Sequence, residues 1–168
     1  MRRSGFLPGT TEQIPPLLGK SYRITAHAVI PDMGAQGVIL SYGGRESGFA
    51  FYLMSDRLFY ENNPLNGPHE LIASNLRMPR GNVVLTYEFT KERSVKKTWW
   101  GETCSGTGRL FVNGQPVGEA KITGAILASH QGPGSMGIGQ AFGSPVSDAF
   151  QPPFRFTGTL IDVEVELK

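Results

Sequence analysis

Val83, Leu85, Tyr87 and Phe89 fall on one side of an extended chain, with Val84, Thr86, Glu88 and Thr90 on the other. A period of two is the mark of a half-buried β-strand. It recurs: Tyr22, Ile24, Ala26, Ala28 and Ile30 share a face against Arg23, Thr25 and His27, and Ile161, Val163, Val165 and Leu167 alternate with Asp162, Glu164 and Glu166. Shorter apolar runs lie at 38–40, 49–53, 58–60 and 71–73, and no segment sustains the i, i+3, i+4 spacing of a helix. Turn chemistry separates the runs. Ser55-Asp56 links two of them as a hairpin, and Asn113-Gly114 between 110–112 and 117–122 accepts positive φ at both central turn positions.

The pattern predicts roughly ten strands and no helix, a set that two packed antiparallel sheets accommodate. The expected fold is all-β, a two-sheet antiparallel jelly-roll sandwich of concanavalin A-like form rather than a closed barrel. Residues 1–20, punctuated by Pro8-Gly9 and Pro15-Pro16, read as an extended lead-in, and 21–168 as one sandwich domain. Residues 91–107 read as a long loop between two strands of one hairpin.

Composition narrows the function. Sixteen basic and 14 acidic residues leave a net charge of +2, too little for a nucleic-acid partner. The one cysteine, Cys104, excludes an internal disulfide and a clustered-thiolate metal site. No apolar run reaches the length of a membrane span, so no membrane partner is expected. Met1-Arg2-Arg3 is followed by no apolar stretch, so no signal peptide is read here and the compartment stays open, the cytoplasm or that of a parent protein.

Several segments carry a family resemblance. They are Leu18-Gly19-Lys20-Ser21-Tyr22-Arg23-Ile24, Ile30-Pro31-Asp32-Met33-Gly34-Ala35-Gln36-Gly37-Val38-Ile39, Gly43-Gly44-Arg45 with Gly48-Phe49-Ala50-Phe51, and Gly106-Thr107-Gly108-Arg109-Leu110-Phe111-Val112-Asn113-Gly114. The most specific is Ser144-Pro145-Val146-Ser147 with Pro152-Pro153-Phe154-Arg155-Phe156-Thr157-Gly158. Together they resemble the C-terminal domain of large bacterial-type arylsulfatases, over residues 6–168. The resemblance implies a laminin-G-like sandwich beside a catalytic domain that hydrolyses sulfate esters with formylglycine and calcium. That apparatus does not carry over. A sulfatase nucleophile stands in a C/S-x-P/A-x-R context, whereas Cys104 sits in Glu-Thr-Cys-Ser-Gly-Thr-Gly. Residues 91–105 also depart from the family pattern, being longer and more basic.

No catalytic residue, cofactor site or metal site is assigned within this chain. The ligand-binding candidates are Trp99 and Trp100, with Lys96, Lys97 and Arg93 beside them. Indole faces stack on sugar rings, cations bind sulfate or carboxylate, and loop tips commonly carry binding residues. The plainer alternative has the tryptophans packing on their own sandwich or on a catalytic domain. Arg45 and Glu46 in the glycine turn are further candidates, against a solvated hairpin tip. His27, His69 and His130 have no ligand partner at suitable spacing and read as surface residues. Asp162, Glu164 and Glu166 invite comparison with the acid pair of jelly-roll glycosidases, against acids that keep a strand soluble. Asp148, with only Ser144 and Ser147 near, offers few oxygens for a calcium ion.

The leading expectation is thus a non-catalytic sandwich domain of an arylsulfatase-like protein, structural or substrate-presenting. Its partner would be a sulfatase catalytic domain or a separate catalytic chain, with homo-oligomerisation an option. The alternative is a stand-alone carbohydrate-binding module for acidic or sulfated glycans. A glycoside hydrolase is the third reading. The accessory reading expects a sizeable exposed apolar patch, and the hydrolase two carboxyl groups facing each other across a cleft.

Overall fold

The computed structural model describes residues 3–6, 17, 19–64, 67–98, 101–125 and 136–168, with the backbone alone at 3–6, 95–98, 101–103 and 125. Among the described residues eleven strands run in chain order: β1 Arg3–Phe6, β2 Tyr22–Ile30, β3 Gly37–Gly43, β4 Gly48–Met54, β5 Arg57–Asn63, β6 Glu70–Ala73, β7 Gly81–Thr98, β8 Gly101–Val112, β9 Gln115–Ala125, β10 Met136–Ile138 and β11 Thr159–Leu167. They form a six-stranded sheet in the order β1-β11-β2-β7-β8-β9 and a five-stranded sheet in the order β10-β3-β4-β5-β6, stacked as the expected sandwich. Every neighbouring pair is antiparallel.

The period-two faces are where the pattern puts them. Tyr22, Ile24, Ala26, Ala28 and Ile30 are buried, as are Val83, Leu85, Tyr87 and Phe89. Both expected hairpins form. Ser55 and Asp56 adopt φ of 49° and 64°, and Asn113 and Gly114 φ of 50° and 80°, the left-handed pairs that match strand twist. Asn113 also ties the neighbouring strand: its N–H donates to the Val84 carbonyl at 2.8 Å, and its Oδ1 accepts the Val84 N–H at 2.8 Å.

The sheets meet around aromatic rings. Tyr60 of β5 stacks on Tyr87 of β7 with centroids 3.4 Å apart, and on Phe49 of β4 at 5.6 Å. Its hydroxyl shares a 2.9 Å hydrogen bond with that of Tyr22. Burial pushes the phenols of Tyr22, Tyr60 and Tyr87 well above their ordinary value, so all three stay neutral.

Two sequence expectations need correction. Residues 91–107 are not a long loop: β7 and β8 continue as a paired hairpin as far as Thr98 and Gly101. Register shifts between Lys91 and Arg93 and between Ser94 and Lys96 break the alternation there, which hides the strand from a period-two reading. Ile161 does not share the inner face. A register shift between Leu160 and Asp162 turns it outward, 47% exposed, and Leu160 packs on the core in its place. Two short strands carried no sequence signal: β10, which pairs with β3, and β1, which lies within 1–20 and pairs with β11.

Within the five-stranded sheet β3 and β4 are buried on both faces, while β6 leaves Leu71 exposed. The sheet's inner residues join the main core, while Val38, Ala50 and Tyr52 point the other way and form a second cluster with Ala141, Val146 and Phe150. These last three belong to residues 139–158, which cross the outer face as a strap. Tyr52 packs between Phe59 (centroids 5.3 Å) and the edge of Phe150 (5.1 Å), and Phe150 stacks on Phe154 at 4.9 Å. Backbone bonds tie the strap to β3, Val38 N–H to Phe154 O at 3.0 Å and Gly139 N–H to Ile39 O at 3.0 Å, and Phe156 N–H to Gly139 O at 2.8 Å joins its two ends. Gly37 makes the approach feasible. Its φ is +121°, and a Cβ there would lie 2.2 Å from the Arg155 carbonyl oxygen.

Candidate functional site

The outer face of the six-stranded sheet is open, and its charges neutralise one another. Glu88 accepts from Arg23 Nε at 2.9 Å and from Lys168 Nζ at 2.6 Å. Lys121 Nζ lies 2.7 Å from Glu92, and Arg109 Nε 2.5 Å from Glu119. His27 Nδ1 lies 2.6 Å from Asp162, and Glu166 stands across from Arg23 in the ladder. Asp162, Glu164 and Glu166 therefore follow one another along one strand face, on which Asp162 is hydrogen-bonded to His27, rather than oppose each other across a cleft.

Burial pushes the Glu88 carboxyl up, but hydrogen bonds from Lys168 and Arg23 outweigh it and hold the group below its ordinary 4.5. A lowered folded-state value stabilises the fold above the unfolded-state value and ceases to do so as pH falls through the folded one. Glu88→Gln is therefore expected to lose about 1 kcal/mol at neutral pH, with the difference from wild type vanishing as the medium is acidified below pH 4.5. Urea melts across that range check it; a difference independent of pH would refute the assignment.

One end of the sandwich is built differently. There β5 finishes in Glu61-Asn62-Asn63-Pro64. Asn62 and Asn63 are each only 3% exposed. Adjacent strand residues point to opposite faces, and these two amides tie different loops. Asn62 Nδ2 donates to Glu70 Oε2 at 2.9 Å and to the Gly124 carbonyl at 3.2 Å, while Glu70 Oε1 accepts the Thr123 N–H at 2.7 Å. Asn63 Nδ2 lies 2.9 Å from the Arg45 carbonyl and 3.3 Å from those of Gly44 and Val146. Beside them, buried Glu61 takes His69 Nδ1 at 2.6 Å and the Tyr52 hydroxyl at 3.2 Å.

The sequence candidates distribute as follows. Arg45 and Glu46 are exposed at the tip of the turn between β3 and β4, and the Arg45 N–H donates to Ser144 Oγ of the strap at 3.3 Å. Lys96 and Lys97 stand across from Thr103 and Glu102 in the hairpin arms. The ladder between β8 and β9 ends at Cys104–Ala125 and that between β2 and β7 at Tyr22–Phe89, so among the described residues the distal arms pair only with each other. The contacts of Asn62 and Glu70 with 123–124 put the Arg45 turn and this hairpin at the same end of the molecule, opposite the Ser55-Asp56 and Asn113-Gly114 turns. Trp99, Trp100 and His130 lie outside the described residues. Asp148 is exposed on the strap, and among the described residues no three His, Cys, Asp or Glu side chains gather as a metal cluster.

Sequence reading missed Asn62, Asn63 and Glu70. The available signal was a polar triplet closing a strand just before a proline, where alternation would place an apolar residue. It reads equally as turn punctuation.

No protein-family model matches the chain, and no curated protein matches it, so the arylsulfatase resemblance gains no support there. Solved structures do match. The CBM40 module of the Ruminococcus gnavus IT-sialidase is similar over 88% of this chain and 76% of its own, with a TM-score of 0.57 and 14% identity. The same module bound to α2,3 sialyllactose gives 0.58 over the same spans, at 14% identity. The leech intramolecular trans-sialidase matches with a TM-score of 0.53 at 14% identity, over 88% of this chain and 21% of its own. What these proteins share with this chain is the β-sandwich fold.

Proposed function

We propose that this chain is a non-catalytic carbohydrate-binding module for acidic glycans, with its binding surface at the end that carries the Arg45 turn and the β7–β8 hairpin. The observation that carries this reading is how the other surfaces are used. The strap covers the outer side of β3 and β4, and paired charges occupy the outer face of the six-stranded sheet. Of the two ends, the one with the Arg45 turn presents an exposed arginine on a fixed turn, at the same end as the β7–β8 hairpin with Lys96 and Lys97 in its arms and Trp99-Trp100 in its sequence. A module of the same fold that holds sialyllactose, a carboxylate-bearing sugar, supports the ligand class.

Titration calorimetry with sialyllactose, a sulfated disaccharide and lactose tests the reading. The acidic sugars are expected to bind, more weakly as salt is raised, and Trp99→Ala with Trp100→Ala to lose about tenfold in affinity. Binding of lactose as tight as that of the acidic sugars, or no binding at all, would refute it.

The second reading, an accessory domain of a sulfatase-like protein, rests on the Ser144–Thr159 segment, which forms most of the strap. It expects a sizeable exposed apolar patch on this domain taken alone. Among the described residues the exposed large apolar side chains are Met33, Leu71, Leu76, Phe142 and Ile161, of which only Leu71 and Ile161 lie on strands, one in each sheet. The intact mass of the native protein tests it: a species several times heavier than 18.3 kDa that also carries a sulfatase motif would favour this reading.

A further inference from the structure

Arg45 belongs to a turn whose backbone has little freedom. Gly43 and Gly48 pinch its base at φ of +92° and +153°, where a Cβ would lie 2.2 Å from the Ser47 carbonyl oxygen and 2.1 Å from that of Tyr42. The Gly44 N–H closes the turn on the Ser47 carbonyl at 2.9 Å. Those elements suffice to make a hairpin connection. The protein adds more. The buried Asn63 amide reaches the carbonyls of Gly44 and Arg45 and, on the strap, that of Val146, while Ser144 Oγ accepts the Arg45 N–H. The tip residue is thus held at its N–H by the strap and at its carbonyl by β5, and its side chain stays exposed.

Arg23, Arg80 and Arg109 are each engaged by a carboxylate, from Glu88, Asp56 and Glu119. Among the described residues no carboxylate ion-pairs with Arg45, nor with Arg57, Arg77, Arg93 or Arg155, and what marks Arg45 is the hold of two side chains on its own main chain. A guanidinium presents a planar fork of donors that matches a carboxylate or sulfate in two-point fashion. Such a fork binds more tightly when its backbone is ordered beforehand, because less freedom is lost on association. A buried amide spent on main-chain carbonyls at the foot of an unpaired arginine is what that arrangement requires.

We infer that Asn63 is a positioning residue: with Ser144 it fixes the Arg45 turn so that the guanidinium receives the anionic group, carboxylate or sulfate, of an acidic glycan. This rests on the glycan-binding reading above. It adds which residue meets the charge and which buried residue sets its place.

The experiment measures affinity for sialyllactose and for lactose in parallel, with a thermal melt for each variant. In wild type, preference for the charged sugar is expected to be about tenfold or more. Arg45→Ala is expected to abolish the preference without lowering Tm, and Arg45→Lys to keep only part of it, since an ammonium cannot reproduce the fork. Asn63→Ala is expected to lose most of the preference in its folded form even though Arg45 is present, and the double variant to lose no more than Arg45→Ala alone. Should Asn63→Ala fail to fold, Ser144 carries the test: Ser144→Ala weakens the preference and Ser144→Thr, which keeps the hydroxyl, retains it. Wild-type preference in Arg45→Ala would overturn the assignment of the charge to Arg45. Wild-type preference in folded Asn63→Ala, or in Ser144→Ala, would overturn the positioning role. A wild-type protein that binds neither sugar would instead remove the glycan reading itself, a result distinct from either.

Discussion

Tyr60→Ala is expected to destabilise the fold by about 3–5 kcal/mol, the range for deleting a buried aromatic ring from a packed core. Tyr60 is the ring on which the two sheets meet: it stacks on Tyr87 of the opposite sheet and on Phe49 of its own, and its hydroxyl bonds that of Tyr22. Truncation leaves a ring-sized void with β-branched and aromatic walls that cannot close without moving whole strands. Tyr60→Phe separates the two contributions. It keeps the ring and leaves the Tyr22 hydroxyl in the interior without this partner, for a loss of about 1–2 kcal/mol. Equilibrium denaturation in guanidinium chloride measures both. Near-equal losses for the two variants would mean that the hydroxyl pair, not the packing, carries the contact.

Phe150→Ala is expected to lose about 3 kcal/mol and to do so locally. Phe150 is the strap's main apolar anchor, edge-on to Tyr52 and stacked on Phe154. Without it the backbone bonds between 139–158 and β3 remain, but they would hold a segment with little apolar burial beneath it. The strap should then open ahead of the sandwich. Limited proteolysis is the discriminating measurement. Cleavage within 141–156 that precedes loss of the remaining fold supports this account, whereas cleavage only upon global unfolding would show that strap and sandwich are one cooperative unit.

The sandwich was legible because its inner faces obey a strict period. β2, the first half of β7 and the end of β11 each bury alternate residues, and alternation is visible in sequence. Legibility failed wherever register shifts. The double shift in β7 disguised a hairpin as a loop, and the shift before Asp162 reversed the orientation of Ile161. The strap was invisible for another reason. Val146, Phe150 and Phe154 lie four apart, a spacing that suits a helix face, but Pro145, Pro152 and Pro153 break any helix there, and what buries them is a sheet face more than eighty residues away in sequence. Of the candidate binding end, the exposed charges could be named from residue type alone, and Arg45 is one of them. The residues that hold it could not, because a buried asparagine and a turn asparagine are the same letter, and only its three carbonyl partners distinguish them.

Cys104 gives the hairpin a further meaning. It is the one cysteine of the chain, and its thiol is buried where β9 stops flanking β8 and the two arms continue alone. A thiol in that place is a clock. An alkylating reagent reaches it only while the base of the hairpin is open, so the labelling rate relative to an exposed thiol reports the equilibrium of that opening. Labelling faster than global unfolding permits would identify the hairpin as a separately breathing unit, and slowing by a bound glycan would convert the same atom into a sensor of occupancy at the end of the sandwich.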